Sequence, residues 1–403
     1  MTKVLHDIGF LYPKEPNMDC LLQARPEEPF SVNALDYLQA LSQILNRYEG
    51  IKNYPDVATF AFFCRRSNLI QLKKRYYPGN TFRSGRGLLF HITPSNVPVT
   101  FAYSLVCGIL SGNVNILKVS SRSSVQADII CHAITELSKE KKFQALSSRI
   151  AIVCYDVTSP ATAYLSSICD ARVIWGGNAT IEEIRKNRLP AHAFEVTFAS
   201  RETLCAINAD QFVMEKSPEQ VASGFYNDTY LFDQKSCTSP HLIIWLGTVE
   251  NVETAKRIFW NKLHDLVKAR YILLPHAAVE KLAAFYTQST YSESVIKVEM
   301  PDNLIWRTEL KTLTKEMEIC RCTGGYFTEY HASSFSELSE IVSCKYQTLS
   351  YYGIENEELM KVISKRGPHG IDTIVPIGRT LDFSLTRDGY NLIDALSREI
   401  AIA

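Results

Sequence analysis

Between Leu88 and Phe198 the sequence alternates short apolar segments with longer segments of helical character. The apolar segments are too short for helices and are rich in branched residues, as in buried strands. Strands that alternate with helices predict a parallel sheet covered on both faces. We therefore predict an α/β fold with a Rossmann-like, doubly wound sheet that binds its ligand at the carboxyl ends of the strands. The predicted strands are LLFHIT (88–93), VNILKV (114–119), IAIVCY (150–155), ARVIW (171–175) and FEVTF (194–198).

The remaining segments predict a second α/β region and several flanking elements. Residues 1–65 are expected to be mostly helical, and the basic, turn-rich segment 66–88 is expected to be a loop or an extended arm. A second alternation of strands and helices runs from about 200 to 370. The tail contains a Gly378-Arg379 turn and then a closing helix.

Charge and cysteine content exclude several classes of protein. The chain has 43 Lys+Arg and 43 Asp+Glu in 403 residues, which argues against a nucleic-acid binder or a polybasic membrane anchor. The charge-free stretch between Arg86 and Lys118 is interrupted by prolines and glycine, so we expect no integral membrane segment. The chain has eleven cysteines and no CxxC pair, and its N-terminus lacks a signal-peptide pattern. These features predict a cytoplasmic protein with free thiols. Cys320-Arg321-Cys322 has the wrong spacing for zinc and HExxH is absent, so no metal is expected.

The first candidate site follows the first predicted strand, at ITPSNVP (92–98). Prolines on both sides of Asn96 restrict the backbone and therefore the direction of its amide. A fixed amide donor at a strand end is what an oxyanion hole requires. The alternative is that Asn96 only caps the next helix, with Pro98 at its first position.

Two further candidates follow the next strands of the same sheet. Lys118 and Arg122, with Ser120 and Ser121 between them and no acid, would suit a ribose 2′-phosphate. The alternative is a polar helix start with solvated charges. Gly176-Gly177-Asn178 lies between a strand and a helix, where phosphate can approach backbone N–H groups. The alternative there is a tight turn, because the segment is not GxGxxG.

The fourth candidate is Cys237, in the small polar turn QKSCTSP before an apolar strand. An exposed setting beside Lys235 would favour the reactive thiolate. A structural role is the alternative, as for most cysteines. The cysteines that lie in apolar segments are expected in the core: Cys107, Cys154 and Cys205.

In this order and spacing the four segments resemble the aldehyde dehydrogenase superfamily over about residues 85–245. ITPSNVP resembles its oxyanion-hole segment, NILKVSS its adenosine-ribose segment, IWGGNATIEEIR its phosphate turn and QKSCTSP its nucleophile loop. The C-terminal segments resemble more narrowly the long-chain acyl-CoA reductase family, which includes the reductase subunit of the bacterial luminescence fatty acid reductase complex. These segments are QTLSYYG (347–353), GIDTIVPIGRTLDF (370–383) and TRDGYNLIDALSREI (386–400).

The resemblance implies NADPH-dependent reduction of a long-chain fatty acyl-CoA to the aldehyde, through an acyl-cysteine on Cys237 and with CoA as leaving group. Asn96 and the Cys237 backbone N–H would hold the oxyanion. The cofactor residues it implies are Thr93, Pro94, Ser95, Lys118, Ser120, Ser121, Arg122, Gly176, Gly177 and Asn178.

Two departures from the superfamily pattern refine this reading. Thr197 stands where hydrolytic members carry a glutamate base, which suits an enzyme that keeps its thioester from water. Glu195, nearby, is not assigned as that base. Ser121 stands where NAD-preferring relatives tend to have an acid, and this favours NADPH. His241 is a weak candidate for a general base.

The resemblance also implies a domain division and partners. We expect residues 1–65 to be a helical part of the cofactor domain, 66–88 an arm, 89–200 the NADP-binding domain, 201–375 the catalytic domain and 376–403 an oligomerisation tail. A homo-oligomer is expected, and an acyl-protein synthetase or an acyl carrier protein could donate the acyl group. Two other activities stay open, namely oxidation of aldehydes to acyl-CoA and a cysteine acyltransferase or thioesterase without a redox step.

Overall fold

The computed structural model describes residues 7–79, 81–94, 96–120, 124–291, 293–313, 321–338, 342–366 and 370–401. The chain divides into two compact units. The first comprises Met1–Ala199 with Phe383–Ala403, and the second comprises Ser200–Asp382.

The first unit contains a six-stranded sheet in the order β1-β5-β4-β3-β6-β7. Strands β3 to β7 are parallel, and β1 joins the edge antiparallel to β5. From the central strand β3 the chain first adds β4 and β5 on one side and then β6 and β7 on the other. The sheet is therefore doubly wound, as predicted. The strands of this sheet are β1 (Gly9–Tyr12), β3 (Leu88–Ile92), β4 (Val114–Lys118), β5 (Ile150–Cys154), β6 (Ala171–Trp175) and β7 (Phe194–Phe198). Strand β2 (Arg83–Gly85) lies outside it.

Helices cover both faces of this sheet, which explains its nearly continuous apolar strands. Every residue of β3 and of β6 is buried. The helices of the first unit are α1 (Met18–Gln23), α2 (Val32–Asn46), α3 (Pro55–Phe63), α4 (Arg66–Tyr76), α5 (Thr100–Leu110), α6 (Val125–Lys139), α7 (Gln144–Ser147), α8 (Ala161–Ile168) and α9 (Asn178–Arg185).

Two local expectations were wrong. Segment 66–76 is helix α4 and not a loop or extended arm, because Leu69 and Tyr76 bury one side of a run of good helix formers. Helix α5 begins at Thr100 with Val99 as its N-cap, so Pro98 precedes the helix and is not its first residue.

The second unit contains a seven-stranded sheet in the order β10-β11-β12-β9-β8-β13-β14. All neighbours are parallel except the edge strand β10, which is antiparallel to β11. The central strand β9 is buried along its whole length. The strands are β8 (Glu202–Asn208), β9 (Pro240–Leu246), β10 (Val295–Glu299), β11 (Trp306–Leu310), β12 (Tyr326–Ala332), β13 (Tyr346–Tyr352) and β14 (Thr373–Pro376); the helices are α10 (Ala209–Phe212), α11 (Pro218–Thr229), α12 (Val249–Arg270), α13 (Pro275–Tyr291) and α14 (Asn356–Arg366).

From Phe383 the chain returns to the first unit. It forms β15 (Thr386–Arg387), β16 (Tyr390–Asn391), the short closing helix α15 (Leu392–Leu396) and β17 (Ser397–Glu399). Strand β17 pairs antiparallel with β2. Arg83 secures this pair by donating to the Ser397 hydroxyl at 2.8 Å and to the Asp394 carbonyl at 2.9 Å.

Candidate active site

The strand order of the first sheet locates its ligand crevice. Winding reverses between β3 and β6, and in doubly wound sheets ligands bind at the carboxyl ends of the strands beside this reversal. Thr93 and Pro94 follow β3, and Gly176 and Gly177 follow β6. The structure therefore brings the first and third sequence candidates to the ends of neighbouring strands.

Thr93 joins the ends of β3 and β4. Its backbone N–H donates to the Lys118 carbonyl at 3.1 Å, and its hydroxyl donates to the same oxygen at 3.0 Å. Pro94 is half-buried and Asn96 is exposed, while Ser95 lies outside the described residues. Asn96, exposed on a short turn, is accessible to a ligand.

Lys118 is half-buried at the end of β4, with its Nζ 5.7 Å from the centroid of the Tyr155 ring. Burial lowers the pKa of Lys118, and Cys154 and Asp156 partly oppose this effect. Sequence reasoning missed Asp156 as a neighbour of Lys118, because Asp156 follows β5 whereas Lys118 ends β4. Ser120 is half-buried, and Ser121 and Arg122 lie outside the described residues.

The glycine turn after β6 leaves the start of α9 open. Gly177 is the N-cap of α9 and no side chain caps this helix. A Cβ added to Gly177 would meet no atom within 4 Å, and Asn178 is exposed. Helix N–H groups without a side-chain cap, at the end of a central strand, suit a phosphate.

The segment that lacks the glutamate base lies on β7. Thr197 is half-buried there. Glu195 bonds Arg172 through one oxygen, at 2.9 Å from its Nε, and Arg185 through the other at 2.7 Å. Because two arginines hold this carboxylate, Glu195 is an ion-pair residue, which agrees with leaving it unassigned as a base.

In the second unit, a tight turn leads into the nucleophile loop. A short 3-10 helix, Tyr230–Phe232, ends at Asp233 and Gln234, whose φ angles are 53° and 59°. Two consecutive residues in the left-handed region are unfavourable for non-glycine side chains. The turn therefore needs external support.

That support comes from the side chain of Gln234, which is buried. Its Nε2 donates to the carbonyls of Pro240 and Tyr326, each at 3.0 Å. Its Oε1 accepts from the N–H groups of Gly325, at 2.9 Å, and Tyr326, at 3.2 Å. One amide thus fastens the turn before Cys237 both to the start of β9 and to the start of β12.

Cys237 is half-buried on the loop that Gln234 anchors. The Thr203 hydroxyl donates to the Cys237 carbonyl at 2.9 Å, and the Ser236 hydroxyl lies 2.8 Å from that of Thr238. By contrast, burial raises the pKa of the Cys107 and Cys205 thiols to about 12. Both are buried as predicted, whereas Cys154, also predicted in the core, is half-buried like Cys237.

Arg321 is a second side chain that holds this loop, and sequence reasoning missed it. Its Nε donates to His241 Nε2 at 2.9 Å, and its two terminal nitrogens donate to the carbonyls of Arg201 and Ser236, each at 3.3 Å. Burial and the Arg321 charge hold the pKa of His241 well below its usual range. Since His241 is neutral and bonded to a cation, the geometry disfavours it as a general base.

A buried carboxyl fixes the C-terminal segment of the second unit. Asp228 on α11 accepts the N–H of Gly378 at 2.6 Å and that of Thr380 at 3.0 Å. Burial is the main cause that raises the pKa of Asp228 to about 7. The Gly378-Arg379 turn predicted from the sequence is thus held by a side chain 150 residues earlier.

Other features of the described residues lie apart from these candidates. A cavity of about 510 Å³ beside α12 and β11 has charged walls that include Lys256, Arg307 and Glu329, and none of the predicted site residues lines it. Across the described ranges, no three His, Cys, Asp or Glu side chains are grouped as metal ligands. No helix in the part of the chain with described structure is long and apolar enough to cross a membrane.

Comparison with solved structures identifies the fold. A lactaldehyde dehydrogenase superposes with a TM-score of 0.67 at 13% identity, over 95% of this chain and 89% of that one. Aldehyde dehydrogenase 21 from Physcomitrella patens gives a TM-score of 0.66 at 11% identity, over 95% and 88%. The fold is therefore that of the aldehyde dehydrogenases, as the sequence resemblance predicted.

Sequence comparison identifies the family. Residues 28–399 match the model of the Acyl-CoA reductase (LuxC) family, so the chain belongs to that family. A long-chain acyl-protein thioester reductase from Aliivibrio fischeri is 23% identical over 224 residues, which are 55% of this chain and 44% of that protein. One from Vibrio harveyi is 25% identical over 164 residues, 40% of this chain and 32% of that protein. The matched regions thus cover less than half the length of these relatives.

Proposed function

We propose that this protein reduces a long-chain fatty acyl thioester to the fatty aldehyde through an acyl group carried on Cys237. The observation that carries the proposal is the nucleophile loop, where four hydrogen bonds of the Gln234 side chain and one from Thr203 hold the half-buried Cys237 just before a buried central strand. Membership of an acyl-CoA reductase family and the aldehyde dehydrogenase fold support the same chemistry.

The protein's part in the reaction is nucleophilic catalysis. The Cys237 thiolate forms a bond to the thioester carbonyl carbon, and the oxygen gains the negative charge. The Cys237 backbone N–H is proposed to stabilise that oxygen, with the Asn96 amide as a second donor. When the carbonyl reforms, the bond to CoA breaks and CoA leaves as a thiolate, which takes a proton from solvent.

NADPH is the proposed cofactor, and when bound it would supply the hydride that converts the acyl group to the aldehyde and frees Cys237. The first unit offers residues that fit it. The uncapped start of α9 behind Gly177 would hold a phosphate, and Lys118 would face the adenosine ribose. Ser121 and Arg122 remain the proposed 2′-phosphate residues.

Slow hydrolysis of the acyl-enzyme would follow from the missing base. Thr197 cannot activate water as a carboxylate can, and Glu195 is held by Arg172 and Arg185. The acyl group would therefore survive until it is reduced. The missing base therefore disfavours a hydrolytic role, and the nicotinamide assay below separates the reductase from a redox-free acyltransferase.

The acyl donor is proposed to be CoA or a protein. The names of the two relatives refer to acyl-protein thioesters, which favours a second donor such as an acyl-protein synthetase or an acyl carrier protein. Homo-oligomer formation through the tail and a cytoplasmic location remain predictions, as does the division into a cofactor domain and a catalytic domain.

The test is aldehyde formation from a long-chain acyl-CoA and NADPH by Cys237→Ala. The substitution should abolish it, whereas Cys344→Ala, which removes an exposed thiol, should leave it unchanged. Aldehyde formation by Cys237→Ala at the wild-type rate would refute the proposal. A change in nicotinamide absorbance on acyl-CoA addition separates the reductase from a redox-free acyltransferase, and supplying aldehyde, CoA and NADP tests the oxidative direction.

A further inference from the structure

The Ser236 carbonyl, in the peptide group before Cys237, has two partners, of which the first is the Ser239 N–H within the loop, at 3.0 Å. Arg321 donates to the Ser236 carbonyl at 3.3 Å. That carbonyl and the Cys237 N–H belong to one peptide group. Because the group is planar and the bond between Ser236 and Cys237 is trans, its C=O and N–H point in opposite directions.

A residue that holds the carbonyl consequently fixes the direction of the N–H. We propose that Arg321 is a positioning residue that orients the Cys237 N–H toward the oxyanion, an inference that rests on the proposed function. Donation from a cation also polarises the peptide group, which strengthens the N–H as a donor on its other side.

The other contacts of Arg321 make its own position definite. It donates to the Arg201 carbonyl next to β8 and to Nε2 of His241 on β9. Since Nε2 accepts a hydrogen bond, the neutral ring of His241 carries its proton on Nδ1. The guanidinium thus binds three acceptors in different segments, and it cannot shift without breaking at least one of these bonds.

The peptide group after Cys237 is held independently. The Thr203 hydroxyl donates to the Cys237 carbonyl at 2.9 Å. Arg321 and Thr203 therefore fix the two peptide groups that flank the nucleophile, and only the one held by Arg321 contains the proposed oxyanion donor. This difference separates a role in orientation from general support of the loop.

The experiment compares two reactions of the same thiol, of which only one passes through an oxyanion. Acylation by a long-chain acyl-CoA without cofactor is followed by intact mass and CoA release, and alkylation by iodoacetamide is followed by intact mass. The variants are Arg321→Met, Arg321→Lys and the matched control Arg257→Met, an exposed arginine on α12.

Arg321→Met should slow acylation about 10- to 100-fold, since removal of a whole oxyanion-hole donor costs about 10²–10³ in rate. Arg321→Lys keeps the charge but carries its donors on a single nitrogen, which cannot reach all three acceptors that Nε and the two terminal nitrogens of Arg321 reach separately, so it should lose about tenfold by the same scale. Both variants should be alkylated within about twofold of the wild-type rate, because alkylation forms no oxyanion. Their KM for acyl-CoA should be unchanged, because the N–H acts on the transition state and not on substrate binding. Arg257→Met should behave as wild type in both reactions.

Equal acylation rates in wild type and the Arg321 variants would overturn this role and leave the proposed function intact. Equal losses in acylation and alkylation would also overturn it, because they indicate loop disruption. If wild type itself forms no adduct, the proposed function fails, and the role of Arg321 fails with it. Should Arg321→Met not fold, Arg321→Lys gives the same comparison.

Discussion

Replacement of Gln234 tests whether the turn before Cys237 depends on one buried amide. Gln234→Leu removes all four hydrogen bonds of this side chain at once. Gln234→Glu keeps an oxygen for the N–H groups of Gly325 and Tyr326. It also replaces the amide nitrogen by an oxygen that faces the carbonyls of Pro240 and Tyr326 at about 3.0 Å.

The expected losses follow from these contacts. At about 1 kcal/mol for each hydrogen bond, Gln234→Leu should lower the free energy of unfolding by roughly 3–5 kcal/mol. Gln234→Glu must keep a proton to donate to either carbonyl, and one proton serves only one of them. The folded-state pKa of the new carboxyl is then raised above its unfolded value, so stability should be greatest below about pH 4 and fall as the pH rises through the folded-state pKa.

Urea unfolding followed by tryptophan fluorescence is a suitable assay, because three of the four tryptophans lie in the second unit: Trp245, Trp260 and Trp306. The control Gln220→Leu changes an exposed residue on α11 and should stay within about 0.5 kcal/mol of wild type. Unchanged urea midpoints for both Gln234 variants would show that the turn does not depend on this amide. A Gln234→Glu variant equally stable at pH 5 and pH 8 would contradict the electrostatic part of the argument.

Three other predictions concern Asp228, the cofactor and Asn96. Because the pKa of Asp228 is raised to about 7 in the folded state, its contribution to stability falls as the pH rises from about 4 through 7. In urea unfolding, wild type should therefore lose more stability than Asp228→Asn between pH 5 and pH 8. An equal loss in the two proteins would contradict the raised pKa. Initial rates at equal concentrations should be higher with NADPH than with NADH, and a clear preference for NADH would refute the argument from Ser121. Asn96→Ala should lower kcat by about 10²–10³ with an unchanged circular dichroism spectrum, and full activity would remove Asn96 from the oxyanion hole.

The doubly wound sheet could be predicted because its strands are short, apolar and separated by clear helices, a pattern buried parallel strands require. Strand β1 could not be predicted, because an edge strand of four residues is too short to show a clear alternation of apolar and polar residues. The helix at 66–76 was obscured by its basic residues, since charge on the exposed side of a helix resembles a solvated loop in composition.

The candidate site divides in the same way. Cys237 and the residues at the strand ends could be proposed from the sequence because each lies in a local motif. Arg321 could not, because its importance comes from contacts with three segments distant in sequence. Gln234 lies inside the motif QKSCTSP, yet nothing in the motif shows that its side chain reaches Tyr326, 92 residues away.

The measurement that tests the central claim most directly is intact mass spectrometry after addition of a long-chain acyl-CoA without cofactor. The account predicts one acyl adduct, mapped by peptide analysis to Cys237 and released on addition of NADPH as aldehyde. An adduct on another residue, or none on a folded protein, would contradict it.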